Sequence, residues 1–379
     1  PAESRADVAT VHQVSGDANR GTTVGCNCKQ LDDIAGILIA YLADQNTRNV
    51  IELFTVATDG SAPVRVSADL VNGGDVSAGF SWSPTDNLLL YRADQETNNL
   101  FELYTASANG AVVNKVSIVP VRGGDVVAGD FSWAPDGSAV AYSGDVLSNN
   151  VIELFAAAPD GSNHRQISAA MVNGGDVRLG AQWSPDATHL AYRADQEINE
   201  TVELYAANAD GTGANRVSQA DAVGGDVSAF AWSPSGAALA FVANQIDASI
   251  EQLMQVAIPD GIAQRLSQAD PAGGDVLDFA WSPTETHVAF TLENTATASV
   301  NLFSVMLDGS APADISGDVA AGGRVHSFGW APNGSRIAYR ADKRELDRIE
   351  LFTNTADASD NQRVSGDLTD GGAVERFSW

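Results

Sequence analysis

Acidic residues recur at one loop position along the chain and are the side chains whose spacing most resembles a binding site. A loop that reads Gly-Gly-Asp occurs five times and ends in Asp75, Asp125, Asp176, Asp226 and Asp275. Arg324 and Ala373 take the place of the aspartate in two further copies. Carboxylates repeated in this way suit a hard cation such as Ca²⁺, which takes several carboxylate and carbonyl oxygens, or a partner of positive charge.

A second set of acids stands before the loops that join the second and third strands of each expected repeat. The set contains Asp44, Asp94, Asp145, Asp195 and Asp342, with Asn244 in one copy. Because strand direction alternates in an antiparallel sheet, both kinds of loop are expected at the same edge. The sequence therefore predicts ten carboxylates on one rim. We call seven of them the acidic face: Asp75, Asp94, Asp125, Asp176, Asp195, Asp226 and Asp275.

Three interpretations of the acidic face stay open at this point. Each aspartate accepts hydrogen bonds from the backbone amides of its own Gly-rich turn or pairs with Arg92, Arg193 or Arg340. In the second interpretation the carboxylates bind Ca²⁺ or a similar cation, and the residues that would coordinate it are unknown. The third interpretation is a docking face for a basic protein or a glycan.

The other residues that do chemistry form no catalytic constellation. The chain has no Gly-x-Ser-x-Gly elbow, and of its five histidines only His189 and His287 share a position of the repeat, in units separated by another. Cys26 and Cys28 lack the further ligands of a zinc site and the Cys-x-x-Cys-His run of haem attachment. A local disulfide, an interchain bond and two free thiols remain open for this pair. The sequence predicts no catalytic residues and no enzyme activity.

A regular spacing of tryptophans shows which elements position these residues. All seven tryptophans lie 49 to 51 residues apart, at Trp82, Trp133, Trp183, Trp232, Trp281, Trp330 and Trp379. Periods of this length indicate a repeat fold, in which each unit buries its faces against neighbouring units. Within the unit that starts near Gly123, short apolar runs predict four strands, at 127–133, 139–142, 151–157 and 166–168. We therefore predict an all-β fold, a seven-bladed β-propeller of four-stranded antiparallel blades.

Composition narrows the class of protein further. The formal net charge of −28 and only 21 Lys and Arg residues argue against nucleic acid as a partner. The longest apolar run, residues 34–43, is too short to span a bilayer. Export is indicated by the acidic composition with few lysines and by a chain that begins without Met. We expect a periplasmic or extracellular location.

Several repeated strings carry a family resemblance. Residues 133–142 (Trp-Ala-Pro-Asp-Gly-Ser-Ala-Val-Ala-Tyr), 152–155 (Ile-Glu-Leu-Phe), 159–161 (Pro-Asp-Gly) and 166–168 (Gln-Ile-Ser) resemble the TolB-type, WD-like propeller repeat. The resemblance implies a binding or scaffold protein of a bacterial envelope or secreted system, with a protein as partner. Because some members of the family act on polysaccharides as lyases, a lyase-like enzyme is an alternative, as is a cation-binding propeller.

The two ends of the chain claim the same place in the repeat. Residues 14–17 and 364–367 both read Val-Ser-Gly-Asp and lie 350 residues apart, which is seven repeats. Arg376 to Trp379 carries the inter-blade aromatics, whereas Cys26 to Lys29 would bury polar groups there. We predict that the C-terminal strand completes the first blade, with residues 1–36 as an N-terminal arm and 37–379 as the propeller. Exchange of this strand between copies is the alternative, and it predicts self-association.

Overall fold

The computed structural model describes residues 38–218, 225–259, 261–267, 274–369 and 371–379. Within these ranges every regular element is a β-strand and none is a helix. No helix in this part of the chain is long and apolar enough to cross a membrane. The predicted N-terminal arm, with Cys26 and Cys28, lies outside the described residues.

The chain forms two compact units. Of the described residues, the first unit contains those up to Trp183 together with Ala207–Ala214, and the second contains Ser184–Ala206 and those from Asn215 onward. Seven antiparallel sheets follow one another along the described residues, and the strands of each sheet are neighbours in chain order.

The first three sheets belong to the first unit. Three strands form the first sheet, β1 (Leu38–Ala43), β2 (Glu52–Ala57) and β3 (Val64–Arg65). Four form the second, β4 (Val76–Trp82), β5 (Leu88–Ala93), β6 (Glu102–Ser107) and β7 (Val113–Lys115). The third contains β8 (Val126–Trp133), β9 (Val140–Gly144), β10 (Glu153–Ala157) and β11 (Arg165–Gln166).

The remaining four sheets have four strands each. The fourth contains β12 (Gln182–Trp183), β13 (His189–Ala194), β14 (Glu203–Asn208) and β15 (Asn215–Arg216). The fifth contains β16 (Val227–Trp232), β17 (Ala238–Ala243), β18 (Gln252–Ala257) and β19 (Gln264–Arg265). The sixth contains β20 (Val276–Trp281), β21 (His287–Asn294), β22 (Ser299–Met306) and β23 (Ala313–Asp314). The seventh contains β24 (Val325–Trp330), β25 (Ile337–Ala341), β26 (Glu350–Asn354) and β27 (Gln362–Arg363).

Stacked aromatic side chains fill the middle of the sheets. Tyr91 on β5 stacks on Tyr104 of β6 with ring centroids 5.6 Å apart, and Tyr339 on β25 stacks on Phe352 of β26 at 5.3 Å. Both tyrosines are fully buried. Offset stacking at this distance adds to the burial of large apolar surfaces. The same stack occurs in the first, third, fourth and sixth sheets.

The periodic tryptophans join each sheet to the one before it. The indole Nε1 of Trp281 donates to the carbonyl of Ala231 at 3.2 Å, and Trp330 donates to Ala280 at the same distance. Trp82, Trp183, Trp232 and Trp281 are nearly buried, with 7 to 9% of their surface exposed. The prediction that these aromatics hold neighbouring sheets together is confirmed for these contacts.

Residues 374–379 make the contacts of a first strand with the seventh sheet. Trp379 Nε1 donates to the carbonyl of Gly329 at 3.0 Å, as Trp281 and Trp330 do to the sheet before theirs. Val374 donates its backbone N–H to Ile349 at 2.8 Å. The segment thus lies where the first strand of a following sheet would lie. Its pairing with the first sheet, and with it the closed ring, stays a prediction.

The predicted strands of the third sheet are confirmed with shifts of one or two residues at their ends. Aspartates fix the turns between strands, because the Oδ1 of Asp160 accepts the backbone N–H of Ser162 at 2.9 Å. Asp136 accepts the N–H of Ser138 in the same way. The following glycines, Gly161 and Gly137, have positive φ angles of 79° and 74°, which explains the Asp-Gly order.

Candidate functional site

The Gly-Gly-Asp aspartates connect neighbouring sheets through main-chain amides. Asp75, at the start of β4, accepts the backbone N–H of Ile51 from the first sheet at 2.6 Å. The same bond recurs from Phe101 to Asp125 (2.7 Å), Ile152 to Asp176 (2.7 Å), Val202 to Asp226 (2.8 Å) and Glu251 to Asp275 (2.8 Å). The amide comes from the preceding sheet and not from the Gly-rich turn of the aspartate itself. The first interpretation thus named the right kind of bond but the wrong donor.

Asp94 and Asp145, which follow the second strands of their sheets, accept two amides each. Asp94 accepts the N–H of Asp75 through Oδ1 at 2.6 Å and the N–H of Asn99 through Oδ2 at 2.8 Å. Asn99 has a φ of 61°, a left-handed conformation that asparagine tolerates well. Asp94 therefore fixes both the Gly-Gly-Asp loop and the loop between β5 and β6. Asp145 repeats both bonds, with Asp125 at 2.6 Å and with Asn150 at 3.0 Å.

These hydrogen bonds show that the two kinds of loop lie at the same edge of a sheet, as the alternation of strands predicted. Val71 also donates to the carbonyl of Gln95 at 3.0 Å, so the loop before β4 packs on the loop after β5. Asp94 is 2% exposed and Asp195 is fully buried. Asp195 accepts the N–H of Glu200 at 3.0 Å. Burial raises the pKa of Asp125 above its ordinary value.

The arginines of the second strands have a different role from the predicted ion pairs. Arg92 donates its Nε to the carbonyl of Val126 at 2.6 Å and lies over the ring of Phe101, 3.8 Å from its centroid. Arg340 donates to the carbonyl of Val374 at 2.7 Å. Each of these arginines therefore binds the backbone of the following first strand.

Glutamates at the start of the third strands form a buried row. In the sequence they are visible only as an acidic residue that recurs at one position of the repeat. Glu102 is 1% exposed and accepts the Nζ of Lys115 at 2.9 Å from the fourth strand. The equivalent pairs are Arg65 with Glu52 (2.8 Å) and Arg363 with Glu350 (2.7 Å). Since the cation always stands 13 residues after the glutamate, this spacing could have revealed the pairs from the sequence.

Glu153 departs from this row. Its partner on the fourth strand is Gln166, whose Nε2 donates to Oε1 at 2.7 Å. The second carboxylate oxygen is buried and has no hydrogen-bond partner among the described residues. Burial raises the pKa of this glutamate.

Exposed aliphatic side chains lie on the loops between second and third strands, and the sequence reasoning missed them. In the second unit Ile198, Ile246 and Leu346 are 60%, 46% and 52% exposed. Leu147, on the corresponding loop of the third sheet in the first unit, is 47% exposed. A repeated choice of Ile or Leu in otherwise polar loops was the signal available in the sequence.

The arrangement assigns the acceptors of the acidic face to the backbone. In the described ranges, no group of three or more His, Cys, Asp or Glu side chains is placed to hold a metal ion. The loops between second and third strands expose aliphatic side chains and acids such as Glu197 and Asp347. An approaching molecule would meet these side chains first.

Comparison with known proteins relates the chain to solved structures only. No protein-family model and no curated protein matches it. Dipeptidyl peptidase 4 of Porphyromonas gingivalis is similar over 86% of this chain and 51% of its own, with 14% identity and a TM-score of 0.58. A candidate TolB of Agrobacterium tumefaciens matches over 66% of this chain and 83% of its own, with 15% identity and a TM-score of 0.38. A prolyl endopeptidase, one of two compared in a structural and mechanistic study, matches over 90% of this chain and 49% of its own, with 8% identity and a TM-score of 0.48.

The chain spans about half the length of the two peptidases it resembles, 51% and 49%. At such low identity the likeness concerns the fold alone. Together with seven successive antiparallel sheets, it confirms the predicted all-β fold of the propeller class.

Proposed function

We propose that the protein is a non-catalytic binding or scaffold protein of a bacterial envelope or secreted system, periplasmic or extracellular, and that it docks a basic protein partner. The observation that carries this proposal is the chemistry of the loops between second and third strands. They combine exposed aliphatic side chains with acids on a chain whose net charge is −28.

The loops of the second unit present this chemistry most clearly. Ile198 stands between Glu197 and Glu200, and Ile246 is followed by Asp247. Apolar side chains bury surface in the centre of an interface, while charged residues around them select a partner of opposite sign and speed its approach. The buried Asp195 supports the first of these loops by accepting the backbone N–H of Glu200, and Asn244 supports the second by donating to the carbonyl of Ala248.

The experiment compares capture of partners from an envelope extract by three forms of the immobilised protein. Ile198→Ser combined with Ile246→Ser removes the exposed aliphatics of two loops without touching the buried aspartates. Ile262→Ser is the matched control, since Ile262 is 88% exposed on the turn between a third and a fourth strand. This turn lies at the opposite end of the strands from the proposed docking loops.

We expect a basic protein to be captured by the wild type and by the Ile262 variant, and to be lost with the double variant. Capture should also weaken as salt rises, because exposed charges are screened. Equal capture by all three forms would refute docking through these loops. A captured partner that is acidic would refute the charge argument.

A further inference from the structure

A cavity of about 220 Å³ lies between the sixth and seventh sheets, within the second unit. Its floor is formed by Thr291, Val300 and Val325, each about 5% exposed. Its mouth carries Asp278, Arg324 and His326, whose side chains reach solvent.

The repeat explains why a cavity occurs here. Thr291 pairs with Leu302 in the register in which Arg92 pairs with Leu103, so Thr291 takes the position of Arg92. In the second sheet that arginine lies against Phe101 and donates to Val126. The counterparts of Phe101 and Val126 in the sixth and seventh sheets are Val300 and Val325.

The position of Thr291 holds arginine in three sheets, as Arg92, Arg193 and Arg340, and the small threonine leaves open the space that such an arginine fills. Val300 is smaller than Phe101, as are Ile152 and Val202 at the same position in the third and fourth sheets. Val325, the counterpart of the carbonyl acceptor Val126 of the third sheet, lines the cavity.

The charged residues at the mouth of the cavity also differ from their counterparts in other repeats. Arg324 stands where five other loops have a Gly-Gly-Asp aspartate, and its backbone N–H donates to Asp342 at 2.5 Å. His326 Nε2 lies 3.4 Å from Asp342 Oδ1, which orients the imidazole. The lining thus offers a guanidinium, an imidazole and the hydroxyls of Thr291 and Ser327 as donors. Asp278 supplies a carboxylate as acceptor.

We propose that this cavity binds a small zwitterion of the α-amino acid class. The ligand carboxylate is held by Arg324 and His326, the ammonium group by Asp278, and a small aliphatic side chain lies against Val300 and Val325. Guanidinium–carboxylate pairs are strong and directional, and an ammonium group next to a carboxylate is favoured in the same way. The volume is below the roughly 300–1,000 Å³ of drug-sized pockets and suits a molecule of this size. This site is independent of the docking loops proposed above.

The test uses isothermal titration calorimetry with L-alanine and L-valine as probes, and acetate and methylammonium as analogues that each keep one charged group. Thr291→Arg should fill the cavity with a side chain that donates to Val325, as Arg92 donates to Val126. Arg324→Ala removes the carboxylate partner and leaves the floor unchanged. Thr97→Arg adds the same charge as Thr291→Arg on an exposed loop of the first unit and serves as the control.

We expect both amino acids to bind the wild type and the Thr97 variant, and to bind at least tenfold more weakly to the Thr291 and Arg324 variants. Circular dichroism checks that each variant is folded, and the Arg324 variant decides the matter if Thr291→Arg fails to fold. The proposal is overturned if neither amino acid binds the wild type. It is overturned equally if acetate or methylammonium binds as tightly as the amino acids, or if Arg324→Ala leaves the affinity unchanged.

Discussion

Replacement of Asp94 tests whether the acidic face acts through hydrogen bonds or through charge. Asp94→Ala leaves the N–H groups of Asp75 and Asn99 without their acceptors. The amide of the half-buried Asp75 loses about 1–3 kcal/mol of free energy, and that of the exposed Asn99, which water can reach, about 0.5–1.5 kcal/mol. The free energy of unfolding should therefore fall by about 2–4 kcal/mol.

Asp94→Asn should cost less, because the amide oxygen can still accept the N–H of Asp75. The fifth sheet already shows this arrangement, in which Asn244 Oδ1 accepts the N–H of Asp226 at 2.6 Å and its Nδ2 donates to Ala248. Only the bond to Asn99 is lost, so we expect a decrease of about 0.5–1.5 kcal/mol.

The assay is urea unfolding followed by tryptophan fluorescence at pH 7. Asp86→Ala is the matched control, since Asp86 is an exposed aspartate of the same sheet and its loss removes the same charge. The expected order of stability is wild type and the Asp86 variant, then Asp94→Asn, then Asp94→Ala. The reasoning is refuted if Asp94→Asn is as destabilising as Asp94→Ala, because the negative charge would then be what matters.

Three further measurements address the closure of the ring, the cation interpretation and the buried glutamates. Deletion of residues 374–379 should lower the melting temperature; an unchanged melting temperature and monomer fraction would contradict both closure and strand exchange. Calorimetry with and without a chelator should give the same melting temperature, because backbone amides already satisfy the acidic face, whereas a decrease that Ca²⁺ reverses would favour cation binding. Burial raises the pKa of Glu153 above its ordinary value of 4.5. The contribution of this carboxyl to stability is therefore complete below that value and is lost as the pH rises through the raised pKa, so Glu153→Gln should gain stability over the wild type between pH 4 and pH 7. Glu52→Gln, which removes the partner of Arg65, should lose stability at pH 7. If both variants changed stability in the same direction, the contrast between Glu52, which is paired with a cation, and Glu153, which is paired with the neutral Gln166, would be contradicted.

The strands could be predicted because each unit repeats both its apolar pattern and its turns. Even the unequal spacing of the tryptophans has a local cause. Trp133 follows Trp82 by 51 residues, and β8 has eight residues where β4 has seven. The extra residue lengthens an irregularity in the strand pairing, which lies between Val76 and Phe80 in β4 and between Val126 and Phe131 in β8, with Asp130 inside the longer one. A sequence shows such an insertion but not the way the strand accommodates it.

The partners of the charged residues could not be predicted in the same way, because they lie on a different sheet. Asp75 was expected to accept amides of its own turn, yet its donor, Ile51, lies 24 residues earlier in the preceding sheet. Arg92 was expected to pair with an acid, and it donates to the carbonyl of Val126. Only the stacking of one sheet on the next brings these atoms together, and nothing in a single repeat encodes that stacking.

These contacts also change where function should be sought. The Gly-Gly-Asp aspartate recurs in five loops and accepts a backbone N–H of the preceding sheet in each of them. Its recurrence therefore follows from its structural role. A position where one sheet departs from the others is different, because the group that the repeat would supply is missing. Arg324 replaces the aspartate of five other loops, and Thr291 is smaller than the arginine that three other sheets have at its position. Both residues line the same cavity, so the proposed bound molecule gives them a common role that the repeat does not.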